Sequence, residues 1–155
     1  MPPSGAATIT DPRRLTAELE QVPDIVVAGE IIEHLGNPLG FLRQLAQTRQ
    51  LSGKTLILST PNATALPNVL IGLARRKSAH PDHLCIFSYK TLTTLRRRAG
   101  FEGWQIVPYF SRFSEMQLRH VGLSCFAVRA VQVTVNGFEW LFPLLSFGYI
   151  VRARI

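Results

Sequence analysis

The chain has 155 residues, 46% of them hydrophobic, which is enough for one packed domain and too apolar for a disordered segment. Its 17 Lys and Arg against 10 Asp and Glu give a formal charge of +7, but the cations are dispersed, with local runs only at Arg75-Arg76-Lys77 and Arg96-Arg97-Arg98. These runs read as solvated faces, which makes nucleic acid a less favoured partner than a small molecule. Neither Cys85 nor Cys125 belongs to a CxxC pair, so the sequence offers no zinc-finger spacing and no disulfide framework.

Taken in chain order, the pattern alternates helix and strand and predicts a mainly parallel sheet. Pro12 to Glu20 reads as a short helix with Asp11 as its N-cap. The first strand is Asp24 to Ala28, and its carboxyl end opens into Gly29, Glu30, Glu33 and His34. In open α/β sheets ligands bind beyond the carboxyl ends of the strands, so this cluster is a candidate site. An amphipathic helix is expected over Pro38 to Gln47, with Leu39, Leu42, Leu45 and Ala46 on one face. Gly53 turns the chain into a strand at Thr55 to Ser59, stopped by Pro61-Asn62, and Leu66 to Arg75 forms another short helix.

Ser88 caps a helix over Tyr89 to Ala99, which Gly100 closes; Arg96 to Arg98 then complement the dipole of its last turn. A third strand is expected at about Glu102 to Tyr109, and Phe147 to Ile155 as a last strand antiparallel to it. Between them lies an apolar stretch. Arg129, Gln132, Asn136, Glu139 and Pro143 interrupt it, which argues against a membrane span. It reads first as a core helix or substrate lid, and second as a peripheral membrane contact through Phe138, Trp140, Leu141 and Phe142. The first residues lack the apolar core of a signal peptide, so the default compartment is the cytoplasm.

Three runs carry a family resemblance: VVAGEIIEHL at 26–35, LSGKTLILSTPN at 51–62 and HPDHLCIFSYKTLTTLRRRAGFE at 80–102. In order and spacing they resemble the second half of a class I S-adenosylmethionine-dependent methyltransferase, over roughly residues 10 to 110. The nearest resemblance is to the group that includes ubiquinone-biosynthesis enzymes and many bacterial small-molecule methyltransferases. It implies an α/β, Rossmann-like methyltransferase sheet that is truncated, keeping strands four to seven of the family sheet with the last strand antiparallel. The glycine-rich turn and the ribose-binding acidic residue of the family do not occur in the sequence. One partial domain is implied over 1–155, with a Rossmann-like part at 1–110, a hydrophobic cap at 111–146 and the last strand at 147–155. The strand at 24–28 is central in the family, so here it would have a bare edge, open to a missing N-terminal half or a partner chain.

The same resemblance implies S-adenosyl-L-methionine as cofactor, lined by Ala28, Gly29 and Glu30. Asp11 matches in part the acidic residue that binds the adenine amine, and reads equally as a plain helix cap. His34 and His83 are the candidate catalytic bases. In the small-RNA 2′-O-methyltransferases the equivalent motif holds a divalent metal such as Mg or Mn, and Glu30, Glu33, His34 and His83 match that set in type and order. The expected reaction is methyl transfer to a small-molecule acceptor. The alternatives are a metal-dependent RNA methyltransferase and an inactive fragment or non-catalytic partner subunit.

Overall fold

A computed structural model describes residues 22–75, 82–101, 103–110 and 125–155. Asp11, the helix expected at 12–20, His80, Phe113 and His120 lie outside the described residues.

Strands β1 (Ile25–Gly29), β2 (Thr55–Pro61), β3 (Gln105–Tyr109) and β4 (Gly148–Arg154) form one sheet in the order β1-β2-β4-β3. β1 and β2 pair in parallel, with Val27 opposite Ile57. β4 runs antiparallel to both neighbours, with Leu58 opposite Val151 on one side and Ile106 opposite Val151 on the other. The expectation of a mainly parallel sheet is therefore corrected: one described strand pair is parallel and two are antiparallel. The cause is the insertion of β4 between β2 and β3, two strands that run in the same direction but never touch.

Alternation decides which face is packed. β2 buries Leu56, Leu58 and Thr60, and β4 buries Tyr149, Val151 and Ala153 on the same side. Helix α1 (Pro38–Gln47) covers this face with Phe41, Leu42 and Leu45, and helix α3 (Tyr89–Ala99) adds Leu92 and Ala99. Phe87, Phe101 and Trp104 complete the core. On the opposite face Ile25, Val27, Val107 and Ile150 remain exposed, Val27 at 68%. β1 ends the sheet, so its outer backbone edge lacks a strand among the described residues.

Local chemistry sets the helix ends. The Asn37 carboxamide accepts from the Gly40 amide at 2.9 Å at the start of α1. Ser88 and Thr91 form a reciprocal capping box on α3, and Gly100 ends that helix in the left-handed conformation at φ 90°. Ser88→Ala is expected to cost about 1 kcal/mol, lowering the melting temperature by about 3 °C in a thermal denaturation. Short helix α2 is Leu66–Leu73, and α4 is Cys125–Leu141. Among the described residues no helix is long and apolar enough to cross a membrane.

Candidate functional site

The site forms where β1 and β2 end. Glu30 follows β1 at φ 50°, in the left-handed region. It is held there by two bonds from its amide, to the Ser59 carbonyl at 3.1 Å and to Ser59 Oγ at 3.2 Å. The Tyr109 hydroxyl at the end of β3 donates to Glu30 Oε1 at 3.2 Å. Tyr109 can lie across the sheet because residue 148 is glycine: a Cβ there would overlap the tyrosine ring. Burial, then the negative charge of Glu30, holds the Tyr109 phenol well above its ordinary range, so it stays a donor near neutrality.

These groups line a cleft of about 830 Å3 together with Phe110, Phe147, Ile150 and Asn136, the last from α4. The cleft lies at the carboxyl ends of the parallel strands, the position that open α/β sheets use for ligands. Gly29 is exposed at its edge, and a Cβ added there would meet only Ser59 Oγ, at 3.7 Å, so the space beside this backbone is open. Ala28, however, packs into the core, leaving its main chain alone to face any ligand.

A second group sits one turn further on. Glu33 is buried, with Oε2 accepting from Thr60 Oγ1 at 3.3 Å and Oε1 lacking a hydrogen-bond partner. Burial, reinforced by the nearby Glu30 charge, raises its carboxyl above the usual carboxylate range. The Glu33 carbonyl accepts from the amides of Leu84 and Cys85, which carries the 82–87 loop over the strand end. That loop brings the His83 ring to 4.8 Å from the His34 ring, edge to face. His34 Nδ1 lies 3.1 Å from the Asp82 carbonyl. A carbonyl only accepts, so Nδ1 carries a proton, and in the neutral form of the ring Nε2 is the nitrogen with the lone pair.

One ligand atom from each of Glu33, His34 and His83 lies within 4.8 Å of the other two. A carboxylate oxygen with two imidazole nitrogens is a donor set suited to Mn, Zn or Mg, and the orphaned Glu33 oxygen is the kind of buried atom a cation would satisfy. The set fits a metal through these three residues. Glu30, the fourth residue expected to join them, instead bonds Tyr109.

Sequence reasoning missed the hub of this region. Asn62, which reads in the sequence as the end of a strand and, by the resemblance, as a border of the substrate pocket, is fully buried and makes four side-chain bonds. Nδ2 donates to the carbonyls of Leu144 and Ser146 at 2.9 and 2.8 Å, and Oδ1 accepts from Thr64 N and Oγ1 at 3.0 and 2.9 Å. The partners at 144 and 146 are more than 80 positions away, so no local pattern announces them.

The sequence matches the family described as "Methyltransferase domain" over residues 5–106. No curated protein sequence matches the chain. Its fold is similar to that of a SAM dependent methyltransferase from Archaeoglobus fulgidus, with TM-score 0.55 and 16% identity, covering 96% of this chain and 66% of the other. It is also similar to the small RNA methyltransferase HEN1, with TM-score 0.53 and 15% identity, over 86% of this chain but 14% of that protein. The chain thus spans less than two thirds of the length of either. With the match covering residues 5–106, and with β4 inserted antiparallel between β2 and β3, the chain belongs to the class I S-adenosylmethionine-dependent methyltransferase family.

Proposed function

We propose that the chain forms the acceptor side of a methyltransferase that moves a methyl group from S-adenosylmethionine to a small molecule held in the cleft of Glu30, Ser59, Tyr109 and Asn136. The observation that carries this reading is the cleft itself: polar groups from three strands and one helix converge at the strand ends around a strained carboxylate. Bound S-adenosylmethionine would supply an electrophilic methyl group on a sulfonium sulfur. Gly29 and Glu30 would form one wall for it, and Glu30 would be kept in place by the Tyr109 hydroxyl. His34 Nε2 would take the acceptor's proton, its ring fixed by the Asp82 carbonyl. Part of residues 111–146 would act as the cap, with Asn136 of α4 reaching the cleft. The open edge of β1 would receive the rest of the sheet, from a preceding segment or another chain, which fits the exposure of Ile25 and Val27.

Titration of the chain with S-adenosylhomocysteine in a calorimeter tests this. Micromolar binding is expected if the described wall suffices. No heat from a folded chain would mean that the chain alone is not the enzyme.

A second reading, metal-dependent methylation of RNA, is favoured by one observation, the grouping of Glu33, His34 and His83. Under it, Mn would bind without nucleotide, and His83→Ala would weaken that binding by about tenfold or more. Equal Mn affinity in the two proteins would remove the reading.

A further inference from the structure

Helix α4 is built inside out. Its half-buried and buried positions are Ala127, Val128, Gln132, Val135, Asn136 and Glu139, the spacing of one helical face, and three of the six are polar. Glu139 has no exposed surface, and Gln132 Nε2 donates to Asn136 Oδ1 at 2.8 Å. The outward face carries Phe126, Ala130, Val131, Val133, Gly137, Phe138, Trp140 and Leu141, with Arg129 and Thr134 as its polar residues. Phe126 is 85% exposed and Trp140 74%. The turn after α4 adds Phe142 and Leu144, also exposed. Asn62 and Thr64 tie that turn to the segment leading into α2, where Leu70 and Leu73 are exposed as well. A water-facing helix would be patterned the other way round, and so large an apolar surface marks a partner or a bilayer.

Charge selects between those two. Across residues 61–75 and 125–155 the sole side-chain carboxylate is Glu139, which is buried, whereas Arg75 and Arg129 are exposed. A second copy of this chain would bring the same +7 charge to the contact, and like charges oppose that pairing. An anionic bilayer surface complements it. At 17 residues α4 is about 25 Å long, short of the roughly 30 Å hydrocarbon core. Its buried polar face is already committed to the protein, so it would lie in the interface and not cross it.

We infer that α4 docks the protein on anionic membrane surfaces, its apolar face sunk in the headgroup boundary while Asn136 on its opposite face borders the cleft. The docking goes beyond the methyl-transfer reading and needs no cofactor, so either can fail without the other.

The test is co-sedimentation of the full chain with vesicles of phosphatidylcholine alone or mixed equally with phosphatidylglycerol, read alongside tryptophan emission. The chain has two tryptophans and Trp104 is buried, so a blue shift on vesicle addition reports Trp140. Binding is expected to favour the mixed vesicles and to weaken with salt. Phe126→Glu and Val133→Glu, both at exposed positions, are expected to reduce it about tenfold each with the melting temperature unchanged. Three results would overturn the inference: wild-type protein that neither sediments nor shifts its emission, variants that bind as well as wild type, or a wild-type dimer that the variants disperse in analytical ultracentrifugation. The last would assign the face to a second copy.

Discussion

Replacing Asn62 by alanine is expected to lower the unfolding free energy by about 3 kcal/mol and the melting temperature by about 10 °C. The carboxamide is buried and saturated, two donors to the carbonyls of Leu144 and Ser146 and two acceptances from Thr64. Alanine would leave the carbonyl of fully buried Ser146 without the Asn62 donor and take one of three donors from the Leu144 carbonyl, and an unsatisfied buried group costs about 1 to 3 kcal/mol. The damage should reach the cleft as well, because the Asn62 amide also donates to the Phe147 carbonyl at 3.0 Å and Phe147 is a cleft wall. Thr64→Ala, which removes a hydroxyl from an exposed residue, is expected to cost about 1 kcal/mol. Thermal denaturation of both variants checks the ranking. A loss below 1 kcal/mol for Asn62→Ala would mean that water replaces the carboxamide and that the turn at 143–146 is held by other contacts.

What was legible in the sequence follows the range of the chemistry involved. Helices α1 and α3 end where Asn37, Ser88 and Gly100 dictate, because a cap is made by residues three positions apart. The insertion of β4 between β2 and β3 was legible only in part, since alternation in 147–155 announces a strand and its antiparallel sense but not a second neighbour. Glu30, Glu33, His34 and His83 were singled out from residue type and position. How they divide was not, because the Tyr109 to Glu30 bond spans 79 positions and is permitted by a glycine at 148. Helix α4 was legible in part. Its apolar residues suggested a core helix or lid first and a peripheral contact through Phe138, Trp140, Leu141 and Phe142 second; the structure turns Gln132, Asn136 and Glu139 inward and leaves Phe126 and Trp140 in the open. Orientation is what the pattern leaves open: the same periodicity describes a helix whichever side meets the protein.

Glu30→Gly should separate function from stability. A glutamate at φ 50° costs on the order of 1 kcal/mol in backbone strain, which glycine removes. The two bonds from the residue 30 amide to Ser59 survive the change, and only the exposed bond from Tyr109 is lost, a contribution of similar size and opposite sign. The melting temperature is therefore expected to stay within about 3 °C of wild type, while binding of S-adenosylhomocysteine, or methyl transfer where it is measurable, falls roughly 100-fold with the carboxylate gone. Tyr109→Phe is the companion: it leaves the carboxylate in place but unheld, and a loss of about tenfold is expected. It also carries a pH signature. The folded state keeps the Tyr109 proton more tightly than the unfolded chain, so it binds more protons once pH exceeds the ordinary phenol value of about 10, and stability falls as pH rises beyond that point. The phenylalanine variant should flatten that fall, with Tyr149, whose phenol is likewise raised by burial, accounting for the remainder. If Glu30→Gly instead lost stability and binding in proportion, Glu30 would be a structural residue of the β1 turn, and the strain at that position would serve the fold and not the methyl acceptor.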